Sequence, residues 1–278
     1  MWKAGYVSHG LLDHSLDQAL ELLSTAGYQA LGITLGPTHL DPWKTSEKDW
    51  EVLREKLGKY SLLPSIETGG RFLLDPQRKH WPSLASSSEE GRKARQALYL
   101  RAIDIAAVIG APVVSLWSGS NDVPGREAEE VTSALVEMLL PVLDHAESRQ
   151  VRIGFEPEPG MWIESLQDWQ RLRQQIDHPA LGLTMDLGHL GVTEANDPLG
   201  SLKAVVDEVI HVHVDDCRNR QHEHLPLGEG ELDLPALIGV LTENGYSGQL
   251  LVELSRDSHR APELVEQSMR YLEGLQRG

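Results

Sequence analysis

The sequence predicts an α/β chain folded as a single (β/α)8 TIM barrel, and three observations predict it. Eight short β-branched or apolar runs recur along the chain. Each is followed by a longer amphipathic stretch, with a spacing of roughly 30 to 40 residues, as expected of βα units. The chain has 278 residues, close to the roughly 250 of a typical barrel of this kind. No Pro-, Gly- or Ser-rich linker divides it, so residues 1–278 are expected to form one domain. An unbroken series of eight such units favours a closed barrel over an open doubly wound sheet.

The elements follow in order. The first strand is expected over 3–8. Ser15 and Gln18 then make a capping box, Leu16, Leu20 and Leu23 form one apolar stripe, and Gly27 stops the helix. The second and third strands are expected over 30–35 and 62–67. The polar stretch 73–90, with Pro76 and Pro82, reads as a loop insertion. Because it follows a strand, it should lie over the barrel mouth. A strong amphipathic helix over 94–109 ends at Gly110, with Pro112 just beyond. The fourth, fifth and sixth strands are expected over 112–117, 152–156 and 182–186. The seventh is Val209–Val214, where His211 and His213 alternate with valines. A helix over 234–244 stops at Gly245, and the eighth strand covers 249–254.

Composition narrows the function classes. Hydrophobic residues make up 40% of the chain, and no apolar run is long enough to span a bilayer. The opening MWKAGYVSHG lacks the apolar core of a signal peptide. A lone cysteine, Cys217, rules out an internal disulfide and suits a reducing compartment, so a cytoplasmic protein without a membrane partner is expected. The formal charge of −17 disfavours nucleic acid as a partner. The densest basic group is only Arg71, Arg78 and Lys79. Assembly into a homo-oligomer is left open.

Barrel enzymes carry their reactive groups where strands end and βα loops begin. Four consecutive strands, the fifth to the eighth, end in Glu156, Asp186, His213 and Glu253. Three carboxylates left together at one rim would repel one another, and a divalent metal resolves this. An oxygen-rich set with one imidazole suits Mn, Mg or Co, with Zn also compatible. Each residue has a plainer alternative. Glu156 could be a solvated acid, Asp186 a helix cap, one of His211 and His213 a core histidine, and Glu253 half of a buried ion pair. All four together on successive strand ends point to a metal. Glu158, His9, His39, Arg71, Arg78, Lys79, His80 and Arg256 are further polar groups near the expected mouth. The basic ones could bind a phosphate or carboxylate or form a solvated lid face.

These residues resemble the xylose-isomerase-like barrels, which include sugar and sugar-phosphate epimerases, hydroxypyruvate isomerases, inosose dehydratases and the endonuclease IV nucleases. The resemblance rests on Glu156, the Asp186-x-x-His189 pair, His213, Gly228-Glu229-Gly230-Glu231, Asn244-Gly245-Tyr246-Ser247-Gly248 and Glu253. It covers roughly residues 150–275, and the first half only through its βα rhythm. It implies one catalytic divalent metal held by Glu156, Asp186, His213 and Glu253. It also implies that the two glutamates are the catalytic proton carriers and that His189 contacts the substrate.

Two departures bear on the activity. The 3-epimerases carry an arginine six residues after the metal histidine; here that position is Asn219, flanked by Arg218 and Arg220, and Arg218 is the candidate for that substrate contact, with Arg256 beside Glu253 as another. The nucleases carry an aspartate and a histidine before the Gly-Glu-Gly that bind a further zinc; here His222 and His224 stand there, a candidate pair for a second metal. The nucleases' histidines on strands three and four are replaced by Glu67 and Ser115-Leu116-Trp117-Ser118. The expected activity is therefore metal-dependent isomerisation or epimerisation of a sugar, sugar phosphate or keto-polyol. The alternatives are dehydration through the same enolate, phosphoester hydrolysis of the endonuclease IV type, and a non-catalytic metal-holding barrel.

Overall fold

A computed structural model of the chain describes residues 1–277. The strands are β1 (Lys3–Val7), β2 (Ala30–Thr34), β3 (Leu63–Glu67), β4 (Val113–Leu116), β5 (Arg152–Phe155), β6 (Leu181–Asp186), β7 (Val209–Val214), β8 (Asp216–Arg218), β9 (Gln221–Leu225) and β10 (Gln249–Val252). Eight of them close into a parallel barrel in the order β1-β10-β7-β6-β5-β4-β3-β2, and β8 and β9 form a separate antiparallel hairpin. The pairing of Lys3–Tyr6 with Gln249–Val252 completes the closure. The barrel predicted from the βα rhythm is thus the fold, with every barrel strand within two residues of its expected bounds.

The helices around it are α1 (Leu16–Ala26), α2 (Glu47–Tyr60), α3 (Glu89–Ile109), α4 (Ala128–Ser148), α5 (Leu166–Arg173), α6 (Leu187–Thr193), α7 (Pro198–Lys203), α8 (Leu234–Glu243) and α9 (Ala261–Arg277). Ser15 and Gln18 form the reciprocal cap of α1, and Gly27 ends it with φ of 91°. Helix α3 starts earlier than the expected residue 94, because the Ser88 side chain accepts from the Gly91 N–H and caps a further turn. Tyr6, Tyr99, Phe155 and Trp169 are fully buried in the core shared by strands and helices.

Strand alternation decides what fills the barrel itself. Outward residues such as Tyr6, Leu31, Ile66 and Val212 join the helices, whereas Val7, Ala30 and Leu251 form a small separate apolar cluster. Near the mouth the fill turns polar. Ser65, Glu67, Ser115, Thr184 and His211 are all buried. Gly32 makes room for this change, since a Cβ there would stand 2.8 Å from Glu67 Oε1.

The segment between β3 and α3 contains the predicted insertion 73–90. Buried Arg95 of α3 pins it, donating from Nε to Pro82 O (2.7 Å) and from Nη2 to His80 O (2.9 Å). The same guanidinium lies over the Trp117 ring, 4.9 Å from its centroid. Gly69, Arg71, Lys79 and His80 of this segment are thereby held against the cavity at the mouth.

Candidate metal centre

Glu156 directly follows β5, Asp186 ends β6, His213 lies in β7 and Glu253 directly follows β10. One ligand-type atom from each lies within 4.8 Å of the other three. His213 Nδ1 is 3.0 Å from Glu156 Oε1, 3.0 Å from Glu253 Oε2 and 4.0 Å from Asp186 Oδ2. Asp186 divides its two oxygens between two jobs. Oδ1 accepts from the His189 N–H (2.7 Å) and caps α6, while Oδ2 is buried without a hydrogen-bond partner. The capping alternative is therefore correct for one oxygen and leaves the other free for a cation.

The electrostatics fit the same reading. Burial works to lower the pKa of His213, but Glu156, Glu253 and Glu67 outweigh it and hold the value well above normal. Burial raises the pKa of Glu156, with His213 working against it, whereas in Glu253 the pull of His213 overcomes burial and lowers it. The cluster thus demands positive charge at its centre. A divalent cation would meet that demand, bonded by three carboxylates and one imidazole.

Glu67, at the end of β3, completes the arrangement from below. His213 Nε2 donates to Glu67 Oε2 at 3.2 Å, and His211 Nε2 donates to Glu67 Oε1 at 3.0 Å. Ser65 Oγ also donates to Oε1, at 2.7 Å. A proton kept on Nε2 leaves the Nδ1 lone pair for a metal, which is how outer carboxylates orient metal-binding histidines. His211 is thus a buried partner of Glu67, and His213 alone of the pair faces the other three ligand candidates. Glu67→Gln is expected to weaken divalent-metal affinity by about 10–100-fold with the fold intact. Calorimetric titration with Mn would check this, and unchanged affinity would remove Glu67 from the support of His213.

A second group lies beside the first. The hairpin turns at Asn219 and Arg220, both with positive φ (52° and 56°), a shape that suits a two-residue hairpin turn. It carries His222 and His224 to His189: His189 Nε2 is 3.0 Å from His222 Nε2, which is 2.8 Å from His224 Nε2. His224 has φ of 53°, in the left-handed region that few non-glycine residues occupy. Asp215 Oδ2 stands 2.5 Å from its Nδ1. Burial opposes protonation of His224, but Asp215 raises its pKa to about 10. Asp215 was not singled out from the sequence, because its partner sits across a hairpin that the sequence did not announce.

Both groups open into one cavity of about 260 Å³. Its lining includes Glu67, Glu156, Glu158, His189, His213, His222, His224 and Glu253, together with His9, Arg71, Lys79, His80, Trp117 and Arg256. Burial, with a smaller contribution from Glu156 after the opposing His189, pushes Glu158 up to about 7. Three residues expected near the mouth lie elsewhere. Arg218 is exposed and bonds to Glu229 O, so it is not brought to the cavity as a substrate contact. Its strand is the first arm of the hairpin, and the side chains that reach His189 are His222 and His224 of the return arm. Arg78 pairs with Asp75 at 2.7 Å, and His39 bonds to His14 O at 3.0 Å. The Gly228-Glu229-Gly230-Glu231 motif has a structural explanation: the N–H groups of Gly228, Gly230 and Leu232 all bond to buried Asp216. A Cβ on Gly230 would stand 2.1 Å from Asp216 Oδ1.

The chain is similar to known proteins over nearly its whole length. Inosose dehydratase of Mesomycoplasma hyopneumoniae is 22% identical over 95% of this chain and 89% of its own length. L-ribulose-5-phosphate 3-epimerase of Escherichia coli is 25% identical, over 88% and 84%. Among solved structures, a D-tagatose 3-epimerase-like protein superposes with a TM-score of 0.78 at 23% identity, covering 99% of this chain and 98% of its own. The IolI protein with a bound zinc atom superposes with a TM-score of 0.80 at 19% identity, covering 98% and 97%. The sequence profile of the xylose isomerase-like TIM barrels matches residues 20–275. Nearly the whole barrel lies inside that match, and the chain belongs to the xylose isomerase-like TIM barrel family.

Proposed function

We propose that the chain is a divalent-metal-dependent isomerase or epimerase of a small carbohydrate-like substrate, working through an enediolate. The observation that carries this reading is the pair Glu156 and Glu253. Both carboxylates flank His213 Nδ1 at 3.0 Å inside a cavity sized for a small molecule. A divalent cation held by Glu156, Asp186, His213 and Glu253 would supply Lewis-acid polarisation of substrate oxygens, which acidifies the adjacent C–H. One glutamate takes the proton from that carbon, and the other returns one on the opposite face. Return to the same carbon gives an epimer; return to the neighbouring carbon gives an aldose–ketose isomer. Trp117, Pro159 and Met161 supply an apolar wall that limits water around the reacting carbon.

Oxygen-rich coordination favours Mn, Mg or Co, and the zinc in the IolI structure keeps Zn in the set. The lone, buried Cys217 suits work in the reducing cytoplasm. No helix among the described residues is long and apolar enough to cross a membrane.

The test is to incubate the metal-loaded protein with ketoses, their phosphates, inososes and hydroxypyruvate in D2O and follow carbon-bound protons by NMR. Deuterium entering one carbon without loss of substrate carbon atoms or oxygen supports the isomerase reading. Loss of a β-hydroxyl from the inosose would identify the dehydratase instead.

The converging His189, His222 and His224 favour a second reading, in which a further metal assists phosphoester hydrolysis. Titration with Zn then finds two sites, and His224→Ala abolishes one while the first remains. One site in wild type and no change in the variant would assign these imidazoles to substrate hydroxyls.

A further inference from the structure

The cavity is lined by charges of both signs. The carboxylates of the metal centre supply the negative ones. Arg71 and Lys79, from the segment after β3, and Arg256, from the loop after β10, supply the positive ones. Acidic residues outnumber Lys and Arg by 42 to 25 in this chain. Yet among the described residues none of these three cations has a carboxylate oxygen within 4.0 Å, whereas Arg78 of the same segment is paired with Asp75 at 2.7 Å.

Two of the three are held in place by main-chain oxygens. Arg71 Nη2 donates to Ser255 O at 2.7 Å, and Arg256 Nη2 donates to His222 O at 2.5 Å. Each guanidinium has five N–H donors, so most of each fork remains free. Burial and then Arg71 depress the pKa of Lys79, Glu158 offsets part of this, and Arg256 adds to it. Like charges gathered with no paired carboxylate repel one another, and an anion bound among them removes that cost. His9 and His80 stay neutral near neutral pH and add no positive charge: burial, then Arg71 and Lys79 respectively, lower them to about 4 and about 3.

The geometry points to an oxyanion subsite: Arg71, Lys79 and Arg256 bind a terminal phosphate or carboxylate of the substrate. The inference rests on the isomerase reading only in placing the substrate's other end at Glu156 and Glu253. Planar guanidinium forks match either oxyanion, and a local positive mouth draws an anionic substrate into a chain whose net charge of −17 would otherwise repel it. A neutral sugar would leave these three cations without a partner.

The test compares matched pairs by calorimetry on the metal-loaded protein at fixed ionic strength: D-xylulose against D-xylulose 5-phosphate, and D-fructose against D-fructuronate. The anionic member of at least one pair should bind on the order of 10²-fold more tightly, and the pair that shows it identifies the oxyanion. Lys79→Met and Arg256→Met should each reduce that ratio by roughly 10-fold with metal content unchanged, as loss of a hydrogen bond to a charged group does. Lys79 makes no hydrogen bond among the described residues, which keeps its variant free of folding effects. A ratio near one for both pairs in wild type, or a ratio untouched by both variants, overturns the subsite; the latter would put the anion on the metal. Solvent deuterium exchange is read separately. Preference without exchange on any carbon keeps the subsite and removes the isomerase reading, and exchange without preference does the reverse.

Discussion

Replacing His213 or Asp186 by alanine is expected to strip the divalent cation from the purified protein. His213 contributes the one nitrogen of the quartet, and Asp186 Oδ2 is its buried oxygen without any other partner. Neither Glu67 nor the other Asp186 oxygen can make good the loss. Glu67 lies on the far side of the His213 ring, and Asp186 Oδ1 is committed to the His189 N–H. The loss in affinity should exceed the roughly 10–100-fold expected when only an outer partner such as Glu67 is removed. Elemental analysis after gel filtration gives the occupancy, with circular dichroism to establish that both variants fold. Wild-type occupancy retained in both would sink the metal assignment. Acid should weaken binding in the same sense, because the carboxylates and His213 must shed protons to coordinate.

The second large effect is expected from Glu253→Gln. Glutamine keeps the shape and one coordinating oxygen but takes up no proton at neutral pH. The variant should hold substantial metal and lose on the order of 10²–10⁴ in turnover, the usual consequence of removing a general base. The amide oxygen can still coordinate a cation beside His213 Nδ1, 3.0 Å away, so the quartet need not collapse. The measurement is solvent deuterium entering the substrate carbon, set beside metal content in the same sample. Exchange that vanishes while metal stays separates chemistry from coordination. Undiminished exchange would take Glu253 out of the reaction and leave Glu156 to carry it with another group.

Much of this site could be read along the chain because strand geometry is periodic. Side chains alternate across a strand, and a βα unit ends its strand at the mouth. Glu156, Asp186, His213 and Glu253 fall at those ends, so their convergence follows once the barrel closes. The same rhythm located every barrel strand, and the Ser15 and Gly27 signals bounded α1.

The groups that orient and surround the quartet were not legible in this way. Glu67 meets His211 and His213 across 144 and 146 residues of chain. In the sequence it is only an acid where the related nucleases carry a histidine. The hairpin of β8 and β9 turns on Asn219-Arg220, without the glycine that usually marks such a turn, so the approach of His222 and His224 to His189 had no local signature. Arg218 and Lys79 were comparable surface cations on paper. A hairpin arm directs the first away from the cavity, and the Arg95 anchor of the segment after β3 holds the second beside it. The sequence by itself determined the barrel and the four strand-end ligand candidates, since both depend on repeats that one strand or one βα unit expresses alone. Only the tertiary structure decided the Glu67 support, the three-histidine cluster and the cations that line the cavity. Those depend on distances between elements far apart in the chain, which exist only after the sheet has closed on itself.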